Sequence, residues 1–169
     1  MYITFDDYKQ LYDPIEERVF NLLAFDACRM MDIHTTGIDN VKKLKLYFPT
    51  DEDDVQSVKR CTAKLVHFLN QIREVEMAVN LGKGYEVTEQ GIRGKKISSV
   101  SAGNESITYA DGYSNASIAF LTEAESAAKD KSVKDKLVAD IIWECLSGVE
   151  DANGTNLLFM GRYPRRYGC

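Results

Sequence analysis

Residues 50–79, TDEDDVQSVKRCTAKLVHFLNQIREVEMAV, decide the fold class. Thr50 reads as an N-cap, and Asp51-Glu52-Asp53-Asp54 fills a first helical turn, where carboxylates meet the positive end of the helix dipole. Val55, Val58, Cys61, Leu65, Phe68, Leu69, Ile72 and Val79 then recur at helical spacing and form one apolar stripe. The spacing predicts the longest helix of the chain, from about Asp51 to Val79, ended by Gly82 and Gly84. The acidic block also has the composition of a DxD-type metal site, but its place in a first turn accounts for it without a metal.

Helical signals continue on the N-terminal side. Thr4 with Asp7 at the third position predicts a capped short helix to about Leu11. Asp13 as N-cap, Pro14 at the first helical position and Glu16-Glu17 behind it predict a second start. Ile15, Val19, Leu22, Leu23, Ala27 and Met30 give that helix a stripe running to about Ile33, with a stop near Thr35-Thr36-Gly37. Asp39 caps a short turn through Val41, Leu44 and Phe48, closed by Pro49.

On the C-terminal side the pattern changes. Residues 82–94 hold Gly82, Gly84, Gly91 and Gly94 among polar residues and read as a loop. GKGYEV lacks the spacing and strand–helix context of a phosphate-binding loop. Residues 95–109, KKISSVSAGNESITY, read as a β-hairpin, with Ile97, Val100, Ile107 and Tyr109 as strand residues and Ala102–Glu105 as the turn. An isolated two-stranded hairpin is marginal in water and needs something to pack on. A helix follows over about 115–128. A last one is capped by Ser132 and carries Val133, Leu137, Ile141, Trp143 or Ile142, and Cys145 to Leu146, with Gly148 at its exit. Residues 153–169, NGTNLLFMGRYPRRYGC, contain three glycines and a proline and predict an extended tail. The reading is one mainly α domain: helical over 1–80, loop and hairpin over 82–110, helical over 115–148, and an extended tail over 153–169. It amounts to a bundle of four to five helices with an inserted hairpin.

Composition narrows the function classes. The chain has 169 residues, 44% hydrophobic and 28% charged, with a net charge of −5. This charge disfavours broad adhesion to nucleic acid. No apolar run approaches the roughly 18–20 residues that span a bilayer. Met1–Tyr12 carries Asp6 and Asp7 and has no apolar core of a signal peptide, which predicts synthesis in a cytoplasm. The four cysteines, Cys28, Cys61, Cys145 and Cys169, form no CxxC pair and have no histidine at ligand spacing. Three of them lie in helical patterns, where free cysteine acts as a small hydrophobe. His34 and His67 belong to no recognised catalytic arrangement. No catalytic, metal or cofactor site is expected, and the protein reads as a non-enzyme.

The tail is the second unsatisfied element. Leu157, Leu158, Phe159 and Met160 are too apolar for water, and Arg162, Tyr163, Arg165, Arg166 and Tyr167 place cations beside aromatic rings. Two fates are open: folding back on the helices, or docking into a partner by strand addition or groove filling. A regulatory or nucleic-acid-binding module using the Arg/Tyr tail is the alternative function.

The order of these parts resembles the head–tail connector (adaptor) proteins of tailed bacteriophages. The resemblance rests on FDDYKQLY (5–12), EERVFNLLAFDACRMMD (16–32), DEDDVQSVKRCTAKLVHFL (51–69), GKKISSVSAGNESITYAD (94–111) and GTNLLFMGRYP (154–164). Residues 82–94 and the Tyr163–Tyr167 end depart from the family pattern. The resemblance implies a helical bundle with a protruding hairpin that forms a ring, typically a dodecamer, beneath the portal protein. Such a ring extends the DNA channel and presents a surface to a stopper or tail-completion protein. The protein would then be made in the host bacterium and reside in the virion neck. Carried onto this chain, the resemblance implies portal or partner contact by Leu157–Tyr167. It implies inter-subunit or neck contact by the hairpin residues Lys95, Lys96, Ile97, Val100, Ile107 and Tyr109. DNA would pass through without sequence-specific binding, and no membrane is involved.

Overall fold

The long helix forms as its pattern requires. In the computed structural model α4 runs from Glu52 to Asn80, after α1 (Phe5–Leu11), α2 (Glu17–His34) and the single turn α3 (Lys43–Leu46). Two short strands follow, β1 (Tyr85–Thr88) and β2 (Gly91–Gly94), then a helical stretch at 123–129 and α5 (Lys131–Leu146). The structure describes residues 1–80, 85–88, 91–94 and 123–164, with side chains over 1–77 and 123–164. The described part is mainly helical, as expected. The hairpin expected over 95–109 lies outside the described residues.

By internal packing the chain falls into two compact units, one of residues 1–69 with 138–169, the other of residues 70–137. In the first, the core gathers Tyr8, Phe20, Ala24, Ala27 and Met31 with Val58, Leu65, Val66 and Phe68 and with Ile142, Leu146 and Leu157. Rings at the N-terminus join it: Phe20 lies 5.2 Å from Phe5 and 5.4 Å from Tyr8 between centroids. In the second unit Ile72, Val75, Ala124 and Ala127 are buried. There Asn70 donates to Glu74 one helical turn along.

The helix starts separate local from non-local signals. The capping box at Thr4 forms, with Asp7 N–H bonded to Thr4 Oγ1 and the Asp7 carboxylate accepting from Thr4 N–H. Such a cap contributes about 1 kcal/mol. Helix α2 does not begin at Asp13–Pro14. Residues 13–16 stay non-helical, and Glu16 has extended-type dihedrals (φ −58°, ψ 131°). Its buried stripe is Phe20, Leu23, Ala24, Ala27 and Met31, shifted from the expected phase so that Leu22 faces out at 62% exposure. Phe20 sets that phase, because the rings of Phe5 and Tyr8 receive it.

Two expected caps move by one or two residues. Asp51, not Thr50, caps α4, its Oδ1 accepting from the amides of Asp53 and Asp54. Asp130, not Ser132, caps α5, accepting from Ser132 N–H at 2.7 Å. In both places two good capping residues stand close together, and the carboxylate takes the role.

Two larger corrections concern irregular segments. The stretch read as a loop over 82–94 contains the antiparallel pair β1–β2, in which Glu86 opposes Arg93 and Val87 opposes Ile92. The tail, expected to be extended, instead turns back on the first unit through residue 164. Gly148 (φ +86°) and Gly154 (φ +72°) supply left-handed turns, and Glu150 bridges to Asn156.

His67 couples this packing to pH. Its ring stacks on Tyr12 at 4.3 Å, and burial holds its imidazole below the usual range. A base with a depressed folded-state pKa binds its proton more readily when unfolded. Stability is therefore complete above about pH 6.5, the ordinary histidine value, and declines as pH falls toward the lower folded-state value. Denaturant titrations between pH 7.5 and 5 are expected to show this decline, and His67→Phe should flatten it.

Candidate functional site

The C-terminal fold-back is built around a buried lysine. Lys43, at the start of α3, is 1% exposed, and its ammonium donates to the backbone carbonyls of Asn156 (3.2 Å) and Phe159. Burial pushes its pKa down, while Asp151 and Asp39 pull against that shift. The acceptors stand 113 and 116 positions along the chain. A lysine within KKLKL carries no sequence mark that singles it out for this role.

Asp151 organises the turn that presents those carbonyls. Its Oδ1 accepts from the amides of Asn153 and Thr155, and its Oδ2 accepts from the Tyr163 hydroxyl at 2.6 Å. The Tyr163 ring lies nearly parallel to Tyr47 at 4.8 Å, and its amide donates to Asp39. Burial and then the Asp151 hydrogen bond raise the Tyr163 phenol, and the Tyr163 amide holds the Asp39 carboxyl low. Backbone bonds Ala152 N–H to Tyr47 C=O and Ile38 N–H to Met160 C=O complete the seam. The Gly37 and Gly161 backbones approach so closely that a Cβ on Gly37 would lie 2.6 Å from the Gly161 carbonyl oxygen.

The expected tail contacts therefore divide. Leu157 is fully buried in the first unit, and Tyr163 is engaged internally, so neither is a free docking residue in this conformation. Phe159 and Met160 are about half exposed (48% and 52%), Arg162 is exposed, and Leu158 is half-buried. Arg165, Arg166, Tyr167 and the hairpin residues Lys95, Lys96, Ile97, Val100, Ile107 and Tyr109 lie outside the described residues.

Among the described residues, two grooves on the first unit share no lining residue. The larger, about 660 Å³, is lined by Met1, Tyr2, Phe25, Arg29, Leu44 and Phe48 among others. Tyr2 stacks on Phe48 and hydrogen-bonds to Asp32, and burial raises its phenol pKa. The smaller, about 280 Å³, is lined by His34, Ile142, Trp143, Leu158 and Met160 among others. Phe25 (66%) and Trp143 (65%) are the most exposed aromatic side chains described. Sequence reasoning missed both as surface residues. Phe25 carried the available signal, being a bulky apolar residue off the expected stripe of α2.

Among the described residues no group of three or more His, Cys, Asp or Glu side chains could hold a metal ion, and no helix is long and apolar enough to cross a membrane. No protein-family model, curated protein or solved structure matches the chain.

Proposed function

We propose that this protein is a structural head–tail connector of a tailed phage, assembling into a ring that joins the portal to the next neck protein and extends the DNA channel. The observation carrying the reading is the pair of separate apolar grooves on one compact unit, one beside Phe25 and the other beside Trp143. A closed ring uses heterologous interfaces, so each subunit needs two different patches. Large aromatic rings left in water beside grooves are typical of surfaces that become buried on association. The acidic net charge fits a channel that DNA traverses without adhering.

In this reading copies meet groove to groove in a ring of the dodecameric type. Phe159 and Arg162, with Arg165, Arg166 and Tyr167 beyond them in the sequence, face the portal, while Met160 belongs to the Trp143 groove between subunits. The hairpin at 95–109 contributes a further inter-subunit or neck contact through its apolar strand residues. The virion neck is the place of action.

Assembly on the cognate portal, viewed by electron microscopy, tests the proposal. Phe25→Asp and Trp143→Asp should each abolish rings while leaving the helical circular dichroism unchanged. Mixing the two variants should yield heterodimers, because each keeps the patch the other lacks, but no closed rings. If the wild-type chain never joins a ring with its portal, or both variants assemble normally, the proposal fails.

A further inference from the structure

The two grooves carry opposite charges in matching positions. On α2, Phe25 and Arg29 stand one turn apart on the outer face, and both line the larger groove together with Lys45 of α3. On α5, Asp140 and Trp143 stand one turn apart on the outer face, and both line the smaller groove. All five side chains are exposed. Among the described residues Arg29, Lys45 and Asp140 take part in no ion pair. Asp32, the carboxylate that lines the larger groove, already accepts from the Tyr2 hydroxyl. The larger groove therefore presents cations and the smaller one a carboxylate.

We infer that α2 of one copy packs antiparallel on α5 of the next, seating Trp143 in the larger groove and pairing Asp140 with Arg29 and Lys45. This contact rests on the ring reading and adds to it the orientation of the helices and the residues that meet. Along α2 the aromatic residue precedes the charge, whereas along α5 the charge precedes the aromatic residue. Antiparallel helices therefore bring ring to ring and charge to opposite charge. A parallel approach with the rings matched would set Asp140 beside Asn21 and Leu22 and leave Arg29 beyond Trp143, with neither charge met. The spacings agree: four residues of α2 rise about 6 Å and three of α5 about 4.5 Å, a difference the arginine side chain spans. Leu22 and Ile33 are exposed on the same strip of α2 and extend the apolar contact at both ends. Tryptophan and arginine are also the side chains in which interface binding energy concentrates.

Trp143 is the only tryptophan of the chain, so its emission reports its own burial. The test uses two full-length variants that each keep one face. Phe25→Asp keeps Asp140 and Trp143 and carries the reporter. Trp143→Ala keeps the Phe25 groove and carries no tryptophan. Titrating the second into the first should shift the emission to the blue and saturate at one to one, because neither variant can extend the assembly further. Asp140→Arg in the reporter variant should weaken binding at least about tenfold, and adding Arg29→Glu to the acceptor variant should return it to within about threefold. All four positions are exposed, and unchanged helical circular dichroism shows that each variant is folded.

No emission shift up to about 1 mM acceptor would overturn the α2–α5 contact, since even a weak specific interface binds in that range. So would a charge exchange that fails to restore affinity. The two proposals fail separately. A one-to-one complex restored by charge exchange, from a wild-type chain that never joins a ring with its portal, sustains the contact and removes the ring reading. Wild-type rings on the portal without that restoration do the reverse.

Discussion

Replacing Leu157 with alanine is expected to lower the unfolding free energy by about 3 kcal/mol, within the range for large-to-small changes at fully buried leucines. The residue has no exposed surface, and its amide donates to the Val149 carbonyl at 2.9 Å. A cavity there removes apolar contact from the point where the fold-back enters the core. Urea denaturation of Leu157→Ala against wild type provides the measurement. A loss below 1 kcal/mol would mean that residue 157 is a surface residue and the fold-back is peripheral.

The same placement changes what a tail deletion reports. Removing residues 155–169 takes away Leu157, the carbonyls that hold Lys43, and the Tyr163 contacts with Tyr47, Asp39 and Asp151. Lost partner binding after such a deletion would therefore mix attachment with unfolding. Point changes at Phe159 or Arg162 separate the two, because both side chains are substantially exposed.

The helical architecture is legible in the sequence because its determinants are local. Thr4 and Asp7 stand at capping-box spacing, and the stripe from Val58 to Ile72 repeats often enough to override any one residue. Precision is lost where two local solutions are nearly equal. Asp51 and Thr50 are both good caps, and so are Asp130 and Ser132; only the geometry of the following turn decides. The phase of α2 is illegible for another reason. Ile15, Val19 and Leu22 satisfy the same periodicity as Phe20, Leu23 and Ala24, and the choice depends on rings at positions 5 and 8. The seat of the tail is the least legible part, because the groups that hold it from outside, Lys43, Tyr47 and Asp39, are far away in the sequence, although Asp151 shapes its turn locally. Its apolar run correctly announced a need for burial, yet nothing in the run named Lys43, Tyr47 or Asp39 as the groups that meet it. The two grooves share this character, since Phe25 and Trp143 become a surface only once the α2 and α5 phases are known.

The second large effect is expected at Lys43. Lys43→Ala should cost about 3 kcal/mol, because it strands two backbone carbonyls and also removes the packed aliphatic stem. Lys43→Met keeps most of the stem and loses only the ammonium. It should cost roughly half as much, since it also relieves the desolvation of a charge that burial already disfavours. Lys64→Ala provides the contrast. That lysine pairs with a Glu144 whose side chain is 70% exposed, so its loss should fall below about 1 kcal/mol. Hydrogen exchange tells a local release from a global one: in Lys43→Met the amides of Ile38, Ala152 and Tyr163 should exchange faster, while those in the middle of α4 keep their protection. Equal losses for Lys43→Ala and Lys64→Ala would contradict the assignment of Lys43 as the bolt of the fold-back. A large loss at Lys43 with a small one at Lys64 would place the strength of the C-terminal seam in one buried charge meeting backbone carbonyls, and not in surface ion pairs.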